Sequence, residues 1–263
     1  MSAVEEEGLD ETKAPLMEHL VELRRRLIWC ALAIGLTFGV SIYFARNIFA
    51  FLVQPLLRAG QGRLIYTNIF EAFFTEIKVA FFSAIMLSFP IIANQIWQFV
   101  APGLYAKEKK AFRPFLFVTP FLFALGAALA YYVALPLALH FLLSYQGNVG
   151  GVQQDALPGV GNYLDFVTRF MFGFGVAFLL PVVLMLMERA GLVTRDQLKR
   201  GRRYAILIAF VLAAILTPPD VLSQFLLAIP LILLYELSLI AIWITERRRG
   251  RALAAAVRDD PAA

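Results

Sequence analysis

The chain has 263 residues, 60% of them hydrophobic and 16% charged, with a mean hydropathy of +0.72. A soluble domain carries roughly 45–50% apolar and about 25% charged residues, so this composition excludes an ordinary soluble fold and puts most of the chain in a bilayer. The net charge of +5 comes in short basic clusters between apolar runs, a topology signal rather than a nucleic-acid footprint, and a lone cysteine, Cys30, excludes an intrachain disulfide and a cysteine metal cluster.

In chain order, residues 1–15 (MSAVEEEGLDETKAP) are acidic and polar, lack the basic and apolar regions of a cleavable signal, and read as a disordered cytoplasmic tail. Leu16–Trp29 reads LMEHLVELRRRLIW. On a helix, Leu16, Leu20, Leu23 and Leu27 share one face, and Glu18, His19, Glu22, Arg25 and Arg26 share the other. Span 1 covers about 27–44. A mixed segment, 47–75, is broken by Pro55, Gly60 and Gly62. Spans 2, 3 and 4 cover about 77–99, 115–138 and 164–187, with a Gly-, Gln- and Asn-rich stretch between the last two. After a basic stretch to Arg203, spans 5 and 6 cover about 204–216 and 221–244, separated by Thr217-Pro218-Pro219-Asp220. A basic tail, 247–263, closes the chain.

Basic clusters at 24–26, 107–113, 189–203 and 247–251 mark the cytoplasmic side, so each interval between them holds two spans. The fold class is therefore an all-α membrane protein with six transmembrane helices over 16–246 and both termini inside. Span 5 covers only about 20 Å against a hydrocarbon core of roughly 30 Å, and span 6 is interrupted by Pro230; short neighbouring spans thin the bilayer. Pro90, Pro120, Pro136, Pro181 and Pro230 lie in or near spans. They either shape a kinked, concave bundle or reflect the general tolerance of membrane helices for proline. Trp29, Trp97 and Trp243 fall near cytoplasmic span ends, as an interfacial belt requires.

No phosphate loop, metal-ligand cluster or nucleophile motif is present, so neither an enzyme nor a cofactor is expected. Glu236, in LLYELSL, is a carboxylate inside span 6. It reads either as a polar contact for a substrate or partner helix, or as a group buried against neighbouring hydroxyls. Asp220 follows the double proline as a cap for span 6. Glu22 and Glu108 both sit at the cytoplasmic rim. Two rim carboxylates can each accept a bidentate guanidinium; spacing alone favours plain ion pairs, Glu22 with Arg26 and Glu108 with Lys109 or Arg113.

The run HLVELRRRL from His19 to Leu27 resembles the opening of the TatC family, membrane receptors of the twin-arginine protein translocase. Ser88-Phe89-Pro90, QIWQF from Gln95 to Phe99, PGLY from Pro102 to Tyr105, Glu108, and TPPDVLSQ from Thr217 to Gln224 resemble the family in the same order. The resemblance spans about Leu16 to Ile244. It implies a receptor in the bacterial inner membrane that recognises twin-arginine signal peptides and moves folded proteins using the proton-motive force. It further implies TatA- and TatB-type single-span partners, membrane lipids and other copies of the chain as neighbours, with no nucleic acid. It assigns Glu22 and Glu108 to the twin-arginine site, with Arg24 orienting the carboxylates, Phe99 packing on the peptide and His19 close by. It also matches Pro55 to a proline shaping the first external segment, and Asp220 and Gln224 to the last external turn near the TatB-type helix. Many relatives carry a glutamate in span 4 where this chain has Leu179, which suggests either a different partner or Glu236 as a replacement. Two other readings are a proton-coupled transporter, which needs a polar midplane site and internal repeats, and a structural subunit of a larger complex.

Overall fold

The computed structural model describes the backbone of residues 3–100, 109–216 and 221–259. The elements are α1 (Ala3–Tyr43), α2 (Ala45–Arg58), α3 (Glu71–Val100), α4 (Lys109–Leu129), a π-helical segment (Ala130–Ala134), α5 (Leu135–Leu143), strands β1 (Gly147–Val149) and β2 (Val152–Gln154), α6 (Val160–Ala177), α7 (Leu180–Arg189), α8 (Arg195–Arg200), α9 (Arg202–Leu216) and α10 (Val221–Asp259). Among the described residues, five stretches are long and apolar enough to cross a membrane: Leu20–Tyr43, Glu71–Phe99, Phe115–Leu143, Val160–Arg189 and Val221–Arg247. The chain is an all-α membrane protein apart from one short hairpin.

Two compact units divide the chain, Met1–Phe49 with Glu76–Pro120, and Ala50–Thr75 with Phe121–Ala263. In the first, α1 lies on α3. Ala80, Ala84 and Ser88 recur every four residues on α3 and are fully buried, the small-residue stripe that lets membrane helices approach. Thr37 on α1 donates to the Ala84 carbonyl at 3.1 Å, and Phe38 meets Phe81 edge-on with ring centroids 6.5 Å apart. The Trp97 indole N–H donates to the Thr119 hydroxyl at 2.9 Å. In the most apolar part of the Leu20–Tyr43 span only 6% of residues are buried, against 39–50% in the other four, so most of the apolar surface of α1 there is uncovered.

In the second unit α4 and α6 pack at backbone distance. A Cβ on Gly126 would stand 2.6 Å from the Phe174 carbonyl, and one on Gly175 would stand 2.6 Å from the Phe123 ring. The α4–α5 span carries a π turn just ahead of Pro136, with the Leu135 N–H bonded to the Ala130 carbonyl; a proline has no N–H to keep the α ladder regular. The α6–α7 span breaks at residues 178–179, ahead of Pro181, for the same reason. Helices α9 and α10 pair, and Leu198, Tyr235, Leu239 and Ile242 form a core with Leu180, Leu184 and Met185 of α7.

One sequence expectation changes, and two stretches left without a structural reading acquire one. The stretch 1–15 read as a disordered tail is helical from Ala3, because Ala, Glu, Lys, Leu and Met are good helix formers and extending an existing helix needs no new nucleus. For the same reason α10 continues through the basic tail to Asp259. The Gly- and Gln-rich stretch holds a hairpin, with Val149 opposite Val152 and both Gly150 and Gly151 at positive φ, the two-residue turn that suits strand twist.

Candidate functional site

Helix α1 presents Glu22, Arg24 and Arg26, and α3 presents Asn94, Gln95, Gln98 and Phe99. One helical turn separates Glu22 from Arg26, so the guanidinium folds back on the carboxylate. The Arg26 Nε–H donates to Glu22 Oε1 at 3.1 Å, and a terminal Nη–H donates to the same oxygen. The other Nη donates to Gln98 Oε1 at 2.9 Å and to Gln95 Oε1 at 3.4 Å. Gln98 in turn donates to Asn94 Oδ1 at 3.0 Å, which turns its carbonyl toward Arg26. The guanidinium side chain is only 11% exposed and the carboxylate 28% exposed. Arg24 is exposed, and Phe99 is half-buried in the last turn of α3. Glu108 and Asp220 lie outside the described residues, as does the side chain of His19. Among the described residues, no group of three His, Cys, Asp or Glu side chains is placed to hold a metal ion.

A second polar cluster forms around Pro55. Pro55 is buried inside α2 and has no N–H, so the Phe51 carbonyl loses its partner one turn on. The Tyr131 hydroxyl donates to that carbonyl at 2.7 Å, with the Phe51 and Tyr131 rings stacked 4.3 Å apart. The Tyr163 hydroxyl donates to the Leu52 carbonyl at 2.8 Å and meets the Leu56 N–H, so it is inserted into a helical hydrogen bond. The loop after α2 is tied down as well. Ile65 and Gly159 form a parallel bridge, Ile65 N–H donating to Pro158 and Val160 N–H to Ile65. The Glu71 carboxylate accepts from Gly161 N–H at 2.6 Å, Thr67 N–H at 2.5 Å, the Thr67 hydroxyl at 2.9 Å and Asn68 N–H at 3.2 Å. Sequence reasoning passed over Glu71, Tyr131 and Tyr163. The pattern Asn68-x-x-Glu71 ahead of an apolar run is a capping-box signal that points to the first of them.

Glu236 is corrected. Arg202 Nη2 donates to its Oε2 at 2.8 Å, and both side chains are partly exposed. The cause is helix length. Helix α9 has 15 residues, about 22 Å, and Glu236 stands 15 residues along antiparallel α10, level with the start of α9. It is therefore not an isolated carboxylate: it is paired with Arg202. Leu179 lines an apolar cavity of about 560 Å³ with Phe172, Leu180, Leu212 and Ile215, and Glu236 is not among its lining residues. Gln224 donates to the Phe210 carbonyl at 3.2 Å, stitching α10 to α9. Trp243 is held between two cations, with the Arg247 guanidinium 4.0 Å and that of Arg195 5.8 Å from the ring centroid.

The sequence pattern of the Sec-independent protein translocase protein (TatC) family matches residues 18–230. The chain belongs to the TatC family. The TatC of Magnetococcus marinus is 47% identical over 247 residues, covering 93% of this chain and 90% of the relative; that of Escherichia coli is 39% identical over 229 residues, covering 86% and 87%. A crystal structure of the twin-arginine translocase receptor TatC superposes with a TM-score of 0.75 at 41% identity, covering 86% of this chain and 98% of the other. As a TatC-family chain this is a multi-pass integral membrane protein of Tat protein transport, a receptor and not an enzyme. The family match contains Glu22, Arg24, Pro55, Phe99, Glu108, Asp220 and Gln224, and ends before Glu236.

Proposed function

We propose that this TatC-family chain binds signal peptides carrying two consecutive arginines at the cytoplasmic membrane surface. It then gathers TatA- and TatB-type single-span subunits, and further copies of itself, to export folded proteins on the proton-motive force. The chain crosses the membrane six times with both ends inside, short α9 being the fifth crossing. One arginine docks on Glu22 and the other on Glu108. A planar guanidinium makes two parallel charge-assisted bonds to a carboxylate, which a lysine ammonium cannot match. Arg24 orients the carboxylates, His19 borders the site, and Phe99 packs on the apolar part of the peptide. Pro55, Asp220 and Gln224 shape the opposite, external side, where partner helices gather.

The observation that supports this reading best is the seat of Arg26, since the Glu22 carboxylate already accepts a guanidinium in a partly buried setting. The transporter reading rested on Glu236 as a midplane group, and its pairing with Arg202 removes that support.

Binding of a labelled twin-arginine peptide to the purified chain in nanodiscs, with a twin-lysine control, tests the reading. Glu22→Ala and Glu108→Ala should each weaken twin-arginine binding by about 1.5–3 kcal/mol, roughly ten- to a hundredfold, and erase the preference over lysine. Equal binding of both peptides by the unmodified chain contradicts it.

A further inference from the structure

Glu22 is already engaged by a guanidinium from its own helix, which places both of its bonds on one carboxylate oxygen, Oε1. Arg26 uses Nε and a terminal nitrogen together, the edge of the guanidinium that pairs with a carboxylate. Two cations cannot use one carboxylate oxygen without mutual repulsion. A substrate fork needs both oxygens, including the Oε1 that Arg26 already holds, so an arginine that binds bidentately has to displace Arg26 from that oxygen.

We propose that Arg26 is a resident stand-in for the substrate arginine: it occupies the Glu22 carboxylate while the site is empty, and the signal peptide binds by exchange with it. This rests on the reading of Glu22 as half of the twin-arginine site. The surroundings of Arg26 suit an exchange. Its remaining nitrogen is held by the carbonyl oxygens of Gln98 at 2.9 Å and Gln95 at 3.4 Å, and Asn94 fixes Gln98 in the orientation that offers its oxygen. Both carboxamides are neutral, so they support the guanidinium whether or not Glu22 is attached to it. On release Arg26 gives up an ion pair but keeps two acceptors, so its donors are not all left unsatisfied in a side chain that is only 11% exposed. A third carboxylate in place of either glutamine would hold Arg26 too firmly or compete for the peptide.

Two consequences follow. The empty site is electrically closed, so stray cations and lipid amines meet a carboxylate that is already neutralised. Signal-peptide affinity is set lower than a bare carboxylate would give, which favours release once the cargo has been handed on.

Fluorescence anisotropy with a labelled twin-arginine peptide, on the full chain in nanodiscs, tests this. Arg26→Gln should tighten binding roughly two- to fivefold, the range of a partly exposed ion pair. Arg26→Lys should tighten it by less, because an ammonium occupies Glu22 without the fork. In a Glu22→Ala background, Arg26→Gln should change nothing, since there is no carboxylate left to free. If Glu22→Ala weakens binding while Arg26→Gln and Arg26→Lys leave it unchanged or weaken it too, Arg26 is a support for Glu22 and the exchange is wrong, with the docking site intact. If Glu22→Ala itself leaves binding unchanged, the docking site fails and the exchange fails with it. Should Arg26→Gln not give monodisperse protein, Arg26→Lys, alone and with Glu22→Ala, decides the matter by the same two readings.

Discussion

The cluster around Arg26 and the cluster around Pro55 are both dense in hydrogen bonds, yet they are built from different partners. Around Arg26 the hydrogen bonds described above join one long side chain to another: Glu22, Arg26, Gln95, Gln98 and Asn94. Around Pro55 the side chains of Tyr131, Tyr163 and Glu71 reach backbone groups, at Phe51, Leu52, Thr67, Asn68 and Gly161. A side chain can rotate away and let a ligand take its place. A backbone carbonyl or N–H cannot leave without bending the chain. The first cluster is therefore exchangeable and suits recognition; the second is fixed and suits architecture.

The sharpest way to break that contrast is at Tyr131. Tyr131→Phe removes the hydroxyl that reaches the Phe51 carbonyl and should cost about 1–3 kcal/mol of unfolding free energy, measured by denaturant titration in detergent. In a Pro55→Ala background the helix regains its own N–H for that carbonyl, so the same substitution should cost clearly less. Equal losses in both backgrounds would show that the tyrosine ring, through its stacking on Phe51, matters more than its hydroxyl.

The smallest effect should come from the Arg202–Glu236 pair. It joins two side chains like the rim cluster, but both are partly exposed. Glu236→Gln should change stability by less than about 1 kcal/mol and leave peptide affinity unaltered. A larger loss in either assay would give Glu236 a role that its pairing does not explain.

Much of the fold is legible in the residues themselves. Apolar runs with basic flanks give the spans, and the four-residue spacing of Glu22 and Arg26 gives their ion pair. What stays hidden depends on distant parts of the chain. Nothing near Glu22 announces Gln95 and Gln98, about seventy residues on, as the other holders of Arg26. Glu236 looks isolated in sequence because its partner belongs to α9, and only the matched lengths of α9 and the first part of α10 bring them level. Pro55 signals a broken helix but not that two tyrosines repair it. The Gly150-Gly151 pair signals a turn, and the polar residues around it conceal the short strands it joins.

The most direct test sets one carboxylate from each cluster side by side. Glu22→Ala and Glu71→Ala would be compared in one nanodisc preparation for twin-arginine peptide affinity and for the rate of limited proteolysis in the 59–70 loop. The account predicts a crossed result. Glu22→Ala loses affinity and keeps the loop as resistant as before, while Glu71→Ala keeps affinity and has its loop cut several-fold faster. If instead Glu71→Ala loses peptide affinity as fully as Glu22→Ala, or Glu22→Ala binds the peptide normally, the division between a recognition cluster and an architectural one is wrong.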